Sequence, residues 1–166
     1  MIEITKCDNF CSVLTKLNLY RILKKHGDVD PAFQFILNVN ARGSRNINDA
    51  LLKAINLAIQ VKEIKEIDED TQQMIVFLTD GPPTVGETFG PKIRENVKRA
   101  NQKIKIPIYG LAFGDSADFD VIKGISADNN GIAERIYESG SSFEQLEDFI
   151  NRISGMDFKK ICCLLF

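Results

Sequence analysis

Five consecutive apolar residues, Met74–Leu78 (Met-Ile-Val-Phe-Leu), run directly into Thr79-Asp80-Gly81-Pro82-Pro83. The run has strand length, lacks the polar alternation of a half-exposed strand, and stops at a turn-rich segment. That combination predicts a strand buried on both faces, the kind found inside a sheet covered by helices. The flanking segments agree. Asn46 or Asn48 can cap a helix running to about Lys65, in which Ile47, Leu51, Leu52, Ala54, Ile55, Leu57, Ala58, Ile59 and Val61 recur near the helical period. A second helix is expected from Pro91, proline being suited to a first helical position, with Ile93, Val97, Ala100 and Ile104 as its stripe. Ile106–Gly114 then reads as a strand with Pro107 near its start, Asp118–Ala127 as a helix and Gly131–Tyr137 as a strand. Phe143–Ile153 reads as a helix, with Phe143, Leu146, Phe149, Ile150 and Ile153 on one face. Strands alternating with helices predict an α/β fold with an open, mostly parallel sheet.

The beginning of the chain is less regular. Pro31–Val39 has a helical look, and residues 1–25 suit either one helix or two short strands around Phe10–Leu14. Met1–Asp8 places charged residues where the apolar core of a secretory signal would stand, and no segment has the length of a membrane span. Read as it stands, the chain would be cytoplasmic.

Composition excludes some functions. With 44% hydrophobic and 27% charged residues in 166, the chain has enough apolar material for one core. A net charge of −2 supplies no basic excess to neutralise phosphates, so nucleic acid is not an expected partner. Cys7 and Cys11 have no Cys or His pair downstream to complete a metal knuckle, and are read as free thiols. A single histidine, His26, gives little basis for Ser-His or Cys-His catalysis.

In open α/β sheets ligands bind beyond the carboxyl ends of the strands, which is where Asp80 falls. Its carboxylate would be a hard donor suited to Mg²⁺ or Ca²⁺; the alternative is a turn residue that bonds local backbone N–H groups. The residues around it narrow the choice. Thr79–Glu87, Asn46–Leu52, Lys92–Val97 and Asn130–Tyr137 resemble, in order and spacing, four stretches of the von Willebrand factor A domain of inter-α-trypsin inhibitor heavy chains. The resemblance covers about residues 40–153. It implies a six-stranded, mostly parallel sheet between helices, carrying a metal-ion-dependent adhesion site. In the family that site uses an Asp-x-Ser-x-Ser loop after the first strand, a Thr in a second loop and an Asp after the fourth strand.

Asp80 matches the last of these. Gly43-Ser44-Arg45-Asn46 stands where the family reads Gly-Gly-Thr-Asn, so Arg45 takes the Thr position, and no Asp-x-Ser-x-Ser occurs in the chain. A guanidinium has donors only and repels a cation. The expectation is therefore a degenerate site with no cofactor, or Mg²⁺ or Ca²⁺ held only weakly through Asp80, and either an Arg45–Asp80 pair partly shielded by the surrounding loops or an Arg45 that points into solvent. The expected ligand loop comprises Ser44, Arg45, Asp80, Gly81 and Thr84.

The domain reading is an unassigned segment 1–45, a substitute strand plus helix being one solution for it, then a partial A domain at 46–153 and a tail at 154–166. In the family the first strand lies between the second and fourth. Its loss would leave Met74–Leu78 with a bare apolar edge, in need of a partner strand, of upstream sequence, or of a strand from residues 1–25. A partial product of a longer domain is the expected origin.

By resemblance, the chain is a non-enzymatic binding module for a protein or matrix ligand, extracellular, associated with hyaluronan and protease-inhibitor complexes. The Asp-Pro-His context through which such heavy chains are transferred to matrix sugar is absent. Two other classes stand beside this one. Cys163-Leu-Leu-Phe166, behind Lys159 and Lys160, fits a prenylation box and would make an intracellular lipid-anchored fragment, unless it is an apolar tail of chance sequence. A phosphotransferase using Asp80 would need a phosphate-binding glycine loop or a second acid two residues on, and position 82 is a proline.

Overall fold

A computed structural model describes residues 44–63, 72–138, 141–154 and 161–165. In chain order these form α1 (Ile47–Glu63), β1 (Gln72–Thr79), α2 (Gly90–Asn101), β2 (Ile108–Phe113), α3 (Phe119–Asp128), β3 (Ala133–Ile136), α4 (Ser142–Ser154) and β4 (Ile161–Leu165). The four described strands make one parallel sheet in the order β3-β2-β1-β4.

The unbroken apolar character of β1 has a direct cause. Ile75 and Phe77 face a core formed with Leu51, Ile55 and Ala58 of α1, Ile93 and Val97 of α2, and Ile122 and Ile125 of α3. Met74 and Val76 face a second core, with Tyr109 and Leu111 of β2, Ile136 of β3, and Phe149 and Ile153 of α4. Both faces of β1 are thus covered, and burying each such large side chain is worth about 1.5–3 kcal/mol. Of the described helices, α1, α2 and α3 lie on one face and α4 on the other.

Element ends follow local chemistry. Asn46 caps α1: its Oδ1 accepts from the Asp49 N–H at 3.0 Å and its Nδ2 donates to Asp49 Oδ2 at 2.6 Å. Asn48, the other candidate cap, is instead buried inside the first turn, donating to Asp49 Oδ1 and accepting from Asn96 Nδ2 of α2. Asp118 caps α3 by accepting from Val121 N–H. β2 begins one residue after Pro107, whose carbonyl accepts from Ile75 N–H. Ile104 lies past the end of α2, although it still packs on the first core.

Three features differ from the sequence reading. β3 is only four residues long: Gly131 packs so closely on the Ile108 backbone that a Cβ would lie 2.0 Å from its carbonyl oxygen, and Asn130 sits at φ +56°, so extended pairing starts only at Ala133. On α4, Phe149 and Ile153 are buried and Leu146 partly so, but Phe143 is 72% exposed and Ile150 is 40% exposed, giving a narrower stripe than expected. The largest difference is at the β1 edge, which is not bare. Residues 161–165, within the stretch read as a tail, pair in parallel with it, from Gln72↔Ile161 to Val76↔Leu165. The segment is an unbroken apolar run, Ile-Cys-Cys-Leu-Leu, like the strand it pairs with. Cys163 is the ladder partner of Met74. The expectations for residues 1–25 and Pro31–Val39, and for Cys7, Cys11 and His26, lie outside the described residues.

Candidate functional site

The segment leading into α1 and the loop leaving β1 meet at the carboxyl end of the sheet. Their contact is built first from backbone. Arg45 N–H donates to Thr84 Oγ1 at 2.8 Å, and the Arg45 carbonyl accepts from the N–H groups of Thr84 at 2.8 Å and Val85 at 3.2 Å. Thr84 therefore brackets Arg45 with both its side chain and its main chain. Gly86 closes the same loop at φ +69°, where a Cβ would lie 2.5 Å from Asn46 Nδ2. Only glycine meets both demands without strain, and the close approach keeps the loop against the α1 cap.

With its backbone held, the Arg45 side chain lies across Gly81, where a Cβ would come within 2.7 Å of the guanidinium carbon. Arg45 Nε reaches Asp80 Oδ1 at 2.6 Å. Of the two outcomes the sequence leaves open this is the pair, and it joins Arg45, Asp80, Gly81 and Thr84 in one place, with Ser44 adjacent in the chain. Its environment differs from the expectation: the Asp80 side chain is 74% exposed and that of Arg45 33% exposed, so no described loop covers the carboxylate. The hydrogen bond from Arg45, reinforced by its charge and opposed by slight desolvation, holds the Asp80 carboxyl below the ordinary value of 3.8.

Next to the pair lies a cleft of about 260 Å³, lined by Arg45 and Asp80 together with Ile47, Ala50, Phe77, Leu78 and Phe113. The apolar lining is not legible in the sequence. Phe77 and Leu78 look like plain core there, and only the fold brings them beside Ile47 and Ala50 of α1 and Phe113 of β2. Chemically the site offers one carboxylate engaged by one guanidinium beside an apolar recess. Among the described residues no three His, Cys, Asp or Glu side chains are grouped so as to hold a metal ion, and no helix is long and apolar enough to cross a membrane.

Comparison with known proteins places this geometry in context. The family model for the von Willebrand factor type A domain matches residues 12–152, beginning well before the stretch whose resemblance is visible by eye. Inter-alpha-trypsin inhibitor heavy chain H3 of Bos taurus is 35% identical over 128 residues, 77% of this chain and 14% of the relative. Inter-alpha-trypsin inhibitor heavy chain H2 of Homo sapiens is 36% identical over 126 residues, 76% of this chain and 13% of the relative. The corresponding H2 chain of Mus musculus is 37% identical over 123 residues, 74% of this chain and 13% of the relative. The chain thus spans about one seventh of the length of the relatives it matches.

Proposed function

Because this chain belongs to the von Willebrand factor type A domain family, we propose that it is a non-enzymatic binding module whose metal-ion-dependent adhesion site has been replaced by an internal ion pair. The observation that carries the reading is the 2.6 Å contact between Arg45 Nε and Asp80 Oδ1. A divalent cation needs several oxygen donors, usually carboxylates with waters or carbonyls around them. Here the carboxylate that would serve is engaged by a group that repels cations, and Thr84 Oγ1, a second oxygen nearby, accepts from Arg45 N–H. These residues do not fit a metal, and binding through them would be metal-independent.

The ligand class follows from the relatives, whose names place them in a trypsin-inhibitor assembly. The proposed partner is a protein or matrix ligand of that extracellular setting, hyaluronan included, with the exposed Asp80–Arg45 surface and its apolar cleft as the contact.

Isothermal titration with Mg²⁺ and with Mn²⁺ tests the metal-free reading. The expected result is no saturable heat at micromolar metal. Saturable binding at micromolar Mg²⁺ or Mn²⁺ that disappears in Asp80→Ala would overturn it.

A further inference from the structure

The chain's total charge of −2 conceals a local one of the opposite sign. Residues 92–105, which are most of α2 and the turn after it, hold six basic side chains and a single acid, Glu95. These cations sort by partner. Lys92 pairs with Glu95, while Arg94 and Lys98 face Asp128 of α3. Arg99, Lys103 and Lys105 are exposed, and no ion pair to an acid is found for them among the described residues. Arg99 lies in the last turn of α2, where a cation also favours the helix dipole. Lys105 has no such structural reason. It sits at φ +54°, a left-handed conformation that side chains other than Asn and Asp rarely adopt. Buried Asn101 fastens the turn around it. The Asn101 carbonyl accepts from Lys105 N–H at 2.7 Å, and its carboxamide bonds both the N–H and the carbonyl of Ile106, at 2.9 and 2.7 Å. A long cation is thus held out to solvent at a position where glycine would fit with less strain.

We propose that the outer face of α2, with the turn that follows it, binds a sulfated linear polysaccharide, and that Arg99, Lys103 and Lys105 are its contacting cations. The choice of a matrix polyanion rests on the extracellular reading above; the charged face does not. Lys103 follows Arg99 by four residues, about 6 Å at the helical rise. Cations this close are matched by a chain with several anionic groups per repeat better than by one with a single carboxylate. Between Gly90 and Lys105 there is no aromatic residue on which bases could stack. The apolar side chains of the segment turn inward: Ile93 and Val97 are buried, and Ala100 and Ile104 pack on the first core, so none is left to enter a bilayer. The same packing gives the cations a rigid backing.

The test is fluorescence anisotropy with the full chain and a labelled heparin octasaccharide, over a range of salt. Saturable binding at low salt is expected for the unmodified chain. The triple variant Arg99→Gln, Lys103→Gln, Lys105→Gln is expected to bind at least about tenfold more weakly, with the slope of log Kd against log salt reduced by about two to three. Lys53→Gln, Lys62→Gln and Lys123→Gln together change the net charge equally and are expected to cost less than about twofold. No saturable binding by the unmodified chain, or equal losses in the two triple variants, overturns the proposal. Lys105→Gly separates a ligand contact from a structural role. It is expected to weaken heparin binding while the melting temperature holds or rises, since glycine adopts the left-handed conformation freely. A lower melting temperature with heparin binding unchanged would show that Lys105 serves the turn and would defeat the assignment. Hyaluronan of equal length, or a single-stranded oligonucleotide, bound as tightly as heparin would defeat the choice of a sulfated chain. Asp80→Ala removes the contact at the carboxyl end of the sheet and is expected to leave heparin binding unchanged, so the two sites stand or fall separately.

Discussion

Two arginines in this domain are held in nearly the same way, at places with different consequences. Arg94 on α2 lies across Gly124 of α3, where a Cβ would come 2.5 Å from its Nε, and both Nε and Nη2 donate to Asp128 Oδ2 at 3.0 and 2.9 Å. Arg45 lies across Gly81 and donates through Nε to Asp80. The Asp128 side chain is 23% exposed, with Lys98 a further 3.8 Å away, whereas that of Asp80 is 74% exposed. The first pair fastens two helices on the flank of the sheet. The second fastens two loops at the end of the sheet where ligands of this fold class bind. An arginine laid on a glycine and turned to an aspartate is thus an ordinary fastening in this chain. What makes Arg45–Asp80 a functional candidate is its position, and its exposure limits what it contributes to stability.

That contrast can be broken by removing each carboxylate in turn. Asp128→Ala is expected to destabilise the domain by about 1–2 kcal/mol, since it removes two charge-assisted hydrogen bonds in a half-buried setting. The change should appear as a lower urea midpoint at unchanged slope. Asp80→Ala should cost less, within the range of about 0–1 kcal/mol for exposed pairs. If Asp80→Ala proved the costlier of the two, the ranking by exposure would be wrong.

Between these lies the clamp beneath the exposed pair. Thr84→Ala removes the oxygen that accepts from Arg45 N–H, and should cost about 1 kcal/mol, the typical worth of one hydrogen bond. Thr84→Ser keeps the hydroxyl and should restore most of the loss. Failure of serine to restore it would show that the threonine methyl, and not the hydroxyl, holds the loop.

How far the sequence reaches can be judged from the same residues. Met74–Leu78 is readable as a buried strand because coverage on both faces forces an unbroken apolar run, and Asp80 is readable as lying at that strand's carboxyl end because a turn-rich segment follows the run. The Arg45–Asp80 meeting follows from two loops expected at one end of the sheet. Its exposure does not, because the solvent around a side chain depends on every neighbouring loop. Ile161–Leu165 is the largest miss in the fold. Five apolar residues after the last helix carry no period that separates a loose tail from a strand, and their partner lies some 90 residues earlier. The cleft is hidden for a related reason: its lining comes from α1, β1 and β2, far apart in the chain.

Smaller still is the acid effect. The Asp80 carboxyl titrates below its unfolded value of 3.8, so the pair's contribution is fully present above that value and is lost as pH falls through the lower folded value. Stability followed from pH 5 down to pH 2 should therefore decline slightly more in the unmodified chain than in Asp80→Asn, by no more than about 1 kcal/mol for so exposed a group. Identical acid profiles for the two would mean that the carboxylate gains nothing from Arg45 in solution.

The most direct test is a double-mutant cycle at neutral pH on Arg45→Ala, Asp80→Ala and the combined variant. If Arg45 engages Asp80 where the family would hold a metal, the double variant should cost less than the sum of the singles. The coupling energy should be about 0.3–1 kcal/mol, and should shrink as salt is raised. Coupling indistinguishable from zero at low salt would mean that the guanidinium does not occupy the carboxylate, and the account of a site closed by its own ion pair would fall.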